Sequence, residues 1–290
     1  MLPNLMTAGN LLCGFIAILH IVGRFDGERV IAGDPNFKYY WAIGLILAAC
    51  VFDALDGRLA RMSGQSSDFG REFDSIADIV SFGIAPALLV HDIVLAELEF
   101  TSGGLGYLIA CIYLVCGAMR LARFNCLAAA SEGKPNTSPS TSFRGCPIPA
   151  AAGVIVSLTL FLIWLNEKEH TIGRWKYMLP VLMVLLSYLM VSSIAYPSFK
   201  SINWRTKRSF HWVLITILVV VFTVRNWQWM PMVLFVSYLL YGLVRPWISR
   251  KWRAEIEAEP SILTETDTTE LEREKKPAAG DEKTDPAALI

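Results

Sequence analysis

Apolar residues in this chain come in long runs, not in the short alternations of strands or the one-sided stripes of soluble helices. Runs of about 20 residues, the length an α-helix needs to cross a bilayer core, recur near 5–23, 39–60, 74–96, 105–127, 148–165, 177–198, 209–224 and 229–246. The pattern predicts an all-α, polytopic integral membrane bundle of about eight transmembrane helices. Polar residues inside apolar segments concentrate before Asn166, whereas the later segments are rich in Leu, Val and Ile, with Pro180 and Pro197 among their interruptions. From Trp252 onward the sequence turns to Glu, Thr, Lys and Pro with almost no aromatics. Such a stretch cannot bury enough apolar surface to offset the entropy of ordering, so a disordered tail is expected there. The chain thus divides into a polar-studded helical region, 1–165, further transmembrane helices, 166–250, and a tail, 251–290.

Composition agrees. A mean hydropathy of +0.44 with 54% apolar residues is too hydrophobic for an ordinary soluble domain of 290 residues. The first segment lacks a basic leader region and a small-residue cleavage site, so no signal peptide is expected. The formal net charge of zero conceals an acidic tail: 11 acidic and 4 basic side chains follow Ala254, a net of −7. When Lys and Arg are allocated to alternating sides, about 15 fall with the even-numbered loops and near tail, and about 7 on the other side. The positive-inside rule then makes both termini cytoplasmic in a multi-pass protein of the cell membrane. Trp41, Trp164, Trp175, Trp212, Trp229 and Trp247 fall at expected helix ends, where amphipathic rings favour the membrane interface. The six cysteines show no metal-ligand spacing and read as small buried apolar residues.

Against this background stands DALDGRLARMSGQSSDFGREFDSIAD, residues 53–78. Acidic side chains inside membrane helices are costly, which makes each one a candidate for function. At 100° per residue, Asp53, Asp56, Gly57, Ala60 and Arg61 share an arc of about 140° on one helix. Ser66, Ser67 and Asp68 form a polar turn, with Ser67 or Asp68 as the next helix cap. Beyond it Gly70, Asp74 and Asp78, spaced i, i+4, i+8, form a second stripe. A short loop makes the helices antiparallel neighbours, so the two acidic faces meet. Clustered carboxylates repel unless cations lie between them, and an all-oxygen donor set suits Mg²⁺ or Mn²⁺ rather than zinc. Gly57 and Ala60 leave the helix face bare for a bulky ligand, and Arg61 offers a fork for phosphate. Metal, phosphate and a smooth face together point to a diphosphate-bearing nucleotide substrate. A carboxylate-lined ion or proton transporter is the alternative from another class, although no inverted repeat of broken helices accompanies these residues.

The spacing D-x2-D-G-x2-A-R-x8-G-x3-D-x3-D resembles the signature of the CDP-alcohol phosphatidyltransferase family, integral membrane enzymes of phospholipid synthesis, at all its fixed positions. The resemblance implies that Asp53, Asp56, Asp74 and Asp78 hold two metal ions facing the cytoplasm, with Asp78 as general base. It further implies that Gly57, Ala60, Arg61 and Gly70 shape the CDP-binding face, and that the protein is a homodimer.

Three other stretches bear on the acceptor alcohol. PNLMTAGNLLCG places Asn4, Thr7 and Asn10 on the first helix, either as caps or, as the resemblance implies, beside the nucleotide, with Asn4 and Thr7 as CDP contacts. DSIADIVSFGIAPA, from Asp74, contains Ser75, Ser81 and Gly83, whose small size allows close helix packing. RLARFN places Arg120, Arg123 and Asn125 at a helix end, as interfacial anchors or as ligands for an acceptor carboxylate or a lipid phosphate. These strings resemble the branch of the family that uses L-serine. The resemblance therefore implies transfer of the phosphatidyl group of CDP-diacylglycerol to L-serine, giving phosphatidylserine and CMP, with membrane lipids as surroundings. Glycerol 3-phosphate, inositol phosphate and choline are the alternative acceptors, and no nucleic-acid partner is expected. His20 and His91 read as structural histidines, Arg58 and Arg71 as interfacial anchors, and Lys134 and Arg144 as surface charges.

Overall fold

A computed structural model of the chain describes residues 2–23, 36–63, 68–96, 104–131, 145–168, 173–192, 218 and 221–244. The chain divides into two units, Met1–Pro246 and Trp247–Ile290, and the second lies outside the described residues together with the expected tail. All regular elements among the described residues are helical: α1 (Leu2–Ile21), α2 (Phe37–Ser63), α3 (Asp68–Leu95), α4 (Leu105–Ser131), α5 (Ile148–Glu167), α6 (Met178–Val191, preceded by a 3₁₀ turn at Gly173–Tyr177) and α7 (Met230–Val244). Four of them, α1, α3, α4 and α5, are long and apolar enough by length and composition to cross a membrane. α2 matches them in length but carries Asp53, Asp56, Arg58 and Arg61 toward its end. The expected segments 177–198 and 229–246 correspond to the shorter helices α6 and α7, and 209–224 lies largely outside the described residues.

α5 is apolar on every side, and Ala150 to Leu160 are buried without a break. A helix of that kind belongs inside a bundle, and α2, α3, α6 and α7 pack around it. Its polar residues stay satisfied locally: Ser157 Oγ donates to the Val154 carbonyl at 3.2 Å and Thr159 Oγ1 to that of Ile155 at 2.8 Å. α5 starts after Gly145, which at φ +89° occupies the left-handed region and turns the chain tightly. The Cys146 N–H then bonds the Leu189 carbonyl of α6 at 3.0 Å, tying the start of α5 to the end of α6.

α3 begins at Asp68, ten residues after Arg58 on the preceding helix, and its first turn holds an Asp68–Arg71 ion pair. It is not a uniform helix. It runs as α-helix to Asp78, widens to π over Ile79–Ile84, resumes α over Ala85–Val90 and widens again over His91–Leu95. Pro86 accounts for the first widening. It has no N–H for the Phe82 carbonyl four residues earlier, and its ring crowds that carbonyl. The freed acceptor is taken by the fully buried Tyr113 of α4, whose hydroxyl donates to the Phe82 oxygen at 3.0 Å.

The two ends of the bundle differ chemically. At the end where α1 and α3 start and α2 and α4 finish lie the carboxylates. At the other, Lys38 pairs with Asp92 at 2.8 Å, Asn36 bonds Glu167 at 3.3 Å, and His20 stacks on Trp41 and His91 on Tyr107. Both histidines thus have aromatic partners, as their structural reading expects. Among the described residues all five tryptophans, Trp41, Trp164, Trp175, Trp227 and Trp229, lie at this second end. Trp212 and Trp247 are outside the described residues.

Candidate active site

Two helix ends supply the acids. On α2 the i, i+3 spacing points Asp53 and Asp56 the same way, and on α3 the i, i+4 spacing does so for Asp74 and Asp78. Antiparallel packing then brings one carboxylate oxygen from each of Asp53, Asp56 and Asp74 within 4.8 Å of one another. Asp56 is only 4% exposed, and the Asp74 Oδ1 atom is buried with no hydrogen-bond partner. Three desolvated like charges at this separation repel strongly, and an unpaired buried carboxylate oxygen is costly. A divalent cation removes both penalties, and the all-oxygen donor set fits Mg²⁺ or Mn²⁺. The residues present therefore fit the metal expected from their spacing. The convergent group contains three of the four expected ligands. Asp78, one turn along α3 from Asp74, is buried at 6% exposure and engaged separately.

α1 supplies the donors that hold these acids. Thr7 Oγ1 donates to Asp56 Oδ2 at 3.0 Å. Asn10 Nδ2 donates to Asp78 Oδ1 at 3.1 Å, while the Asn10 carbonyl accepts from Ser81 Oγ at 2.9 Å. This contact requires Gly14. A methyl group there would sit 2.6 Å from the Ser81 Cα. Thr7 and Asn10, three residues apart on one helix face, thus reach the acids of α2 and α3 respectively. Asn4 is half-buried at the start of the same helix, and Gly57 and Gly70 are half-buried on theirs. The side chains of Ala60 and Arg61 lie outside the described residues.

α4 contributes the cation. Arg120 is largely buried, in the field of Asp78 and Asp53, and its Nε has no hydrogen-bond partner. Arg123, one turn on, is exposed. Of the two arginines, only Arg120 faces the acids. Asn125 Nδ2 donates to Ser75 Oγ at 2.9 Å and to Glu72 Oε2 at 3.2 Å, fixing α4 against α3, and its Oδ1 is buried without a partner. Four unpartnered buried polar atoms, on Asn10, Asp74, Arg120 and Asn125, therefore lie on the three helices around the acids. Native interiors leave few such atoms, and a polar ligand would satisfy them.

Ser81, Ser75 and Glu72 were not marked as site residues by sequence pattern. Ser81 read as a packing residue, and its bond to Asn10 spans 71 residues, beyond any local signal. The cysteines also depart from expectation. Cys146 is buried, but Cys111 and Cys126 are exposed on α4. All six are free thiols.

A family model described as CDP-alcohol phosphatidyltransferase matches residues 1–193. The chain is 35% identical over 247 residues to the CDP-diacylglycerol–serine O-phosphatidyltransferase of Helicobacter pylori strain J99, an alignment covering 85% of this chain and 90% of that one. It is 33% identical over 199 residues to the protein of the same name from Bacillus subtilis, covering 69% and 91%. An archaetidylserine synthase from Methanothermobacter thermautotrophicus is 32% identical over 199 residues, covering 68% and 69%.

Proposed function

The chain belongs to the CDP-alcohol phosphatidyltransferase family, and on that footing we propose that it transfers the phosphatidyl group of CDP-diacylglycerol to the hydroxyl of L-serine, giving phosphatidylserine and CMP. The observation that carries this reading is the convergence of Asp53, Asp56 and Asp74, residues of the signature spacing, in a chain whose similar relatives are named for that reaction.

Asp53, Asp56 and Asp74, with Asp78 one turn along α3, would hold Mg²⁺ or Mn²⁺, and two ions are the natural complement of four acids. When bound, the metal neutralises charge on the diphosphate and on departing CMP. Thr7 keeps Asp56 oriented. Asp78 takes the proton from the serine hydroxyl as its oxygen attacks the lipid-side phosphorus. The bond from that phosphorus to the CMP oxygen breaks, and CMP leaves with the electron pair. Arg120, charged and largely buried beside Asp78, receives the serine carboxylate or the lipid phosphate, and the open Oδ1 of Asn125 accepts a polar hydrogen from the bound substrate. Gly57, Ala60, Arg61 and Gly70, with Asn4 and Thr7, form the face for CDP. The acyl chains remain in the bilayer, with the site at its cytoplasmic side, a placement the positive-inside count supports.

The test is incorporation of radiolabelled serine with CDP-diacylglycerol by purified protein, with and without chelator. Chelator-sensitive label in lipid is the expected result. CMP release with glycerol 3-phosphate but not serine would reject the acceptor, and ion flux in liposomes without CMP formation would reject the enzyme. Asp78→Asn is expected to insert normally and fail to turn over.

A further inference from the structure

Asn10 is fully buried and grips α3 at two points three residues apart. Its side-chain amide donates to Asp78 Oδ1, and its backbone carbonyl receives the Ser81 hydroxyl. The two points straddle the place where α3 changes from α to π, since Asp78 is the last α residue and Ser81 lies within Ile79–Ile84. Residues turn through a smaller angle per step in a π-helix than in an α-helix, so the direction of a side chain at that junction depends on where the change occurs. Pro86 and the Tyr113–Phe82 bond hold the junction from one side. Asn10 holds it from the other, at the carboxylate itself.

A carboxylate has two oxygens, and a base needs one of them free and aimed. With Oδ1 of Asp78 occupied by the Asn10 amide, only Oδ2 remains to accept a proton from an incoming hydroxyl. No second group competes for the amide, because Asn10 Oδ1 has no partner and Nδ2 is directed to Asp78.

We propose that Asn10 is a positioning residue for phosphatidyl transfer: it holds Asp78 Oδ1 so that Oδ2 alone faces the acceptor hydroxyl. The inference rests on Asp78 as the base, and it adds a residue outside the acidic signature to the machinery.

The experiment uses full-length protein in detergent, with kcat and KM measured for serine and for CDP-diacylglycerol. Asn10→Ala is expected to lower kcat by about 10- to 100-fold while both KM values stay within about threefold, because orientation of a base acts on the chemical step. Mn²⁺ binding without substrate, read by electron paramagnetic resonance, should stay near the wild-type value, because the change leaves all four carboxylates in place and Asn10 bonds none of the three that converge. Should Asn10→Ala fail to fold, Ser81→Ala provides the second measurement, with a smaller kcat loss and unchanged KM.

Wild-type kcat in Asn10→Ala, with Asp78→Asn inactive, would overturn the proposal and leave the base assignment standing. A raised KM for serine with kcat intact would also overturn it, by making Asn10 a substrate contact. Turnover in Asp78→Asn would instead reject the base on which the proposal is built.

Discussion

Thr7 and Asp56, 49 residues apart in the chain, are joined by a 3.0 Å hydrogen bond in which the threonine hydroxyl donates to the carboxylate. The bond ties α1 into the acid cluster at a point where Asp56 is almost wholly shielded from solvent. Thr7→Val keeps the volume and removes the donor. Leaving a buried carboxylate short of a partner costs about 1–3 kcal/mol. The variant should therefore unfold at lower temperature in detergent, and it should release CMP more slowly at saturating substrate.

The acid cluster should oppose stability until a cation arrives. Asp53→Asn or Asp74→Asn removes one of three crowded charges, so in chelator either variant is expected to unfold at a higher temperature than wild type. Added Mg²⁺ should reverse the order, stabilising wild type by mass action and the variants little. Both variants should be inactive. Thermal scans with chelator and with Mg²⁺ decide the matter, and a wild-type protein indifferent to either would count against a metal site.

Two glycines make a paired test of packing. Gly14→Ala puts a methyl group against Ser81, within 2.6 Å of its Cα, where backbone must move. Overpacking of this sort costs about 1–3 kcal/mol, and here it also pries Asn10 from α3, so activity should fall with stability. Gly44→Ala, on the same bundle, meets nothing within 4 Å. It should be neutral or stabilise α2 by up to about 1 kcal/mol, with unchanged turnover.

Burial pushes the Cys146 thiol up to about 12 from its ordinary 9.0, Arg120 opposing the shift only in part. The unfolded chain then releases this proton near 9.0 and the folded chain only near 12. Stability owed to the neutral thiol is intact below pH 9 and drains away as pH rises through that window. Cys146→Ala should flatten the fall in melting temperature between pH 9 and 11. In the native protein at pH 8, maleimide should modify the exposed Cys126 and spare Cys146, as peptide mass spectrometry would read.

What could be read from sequence was whatever depends on spacing within one helix or across a short turn. The fold class follows from apolar run lengths, and Asp53, Asp56 and Asp74 follow from two helical stripes joined by a turn. What could not be read depends on which distant helix packs where. The donors to Asp56 and Asp78 come from α1, 49 and 68 residues away, and no local pattern encodes that pairing. Arg120 and Arg123 are equivalent by spacing, and only the packing of α4 buries one of them. Pro86 was visible as a letter, but its effect on α3 emerges only with Tyr113 at hand to cap the freed carbonyl. The cysteines show the limit of composition: an apolar residue in a membrane bundle need not face the interior, and Cys111 and Cys126 do not.

The segments after Asn166 read as scaffold, and Gly153 gives that word a sharper meaning. A side chain at Gly153 on α5 would collide with the ring of Phe235 on α7, so the ring fills a dent that the central helix leaves in its own surface. α7 is therefore a plug and not an appendage. Without that ring a hollow would open in the flank of α5, the helix on which α2, α3 and α6 also pack.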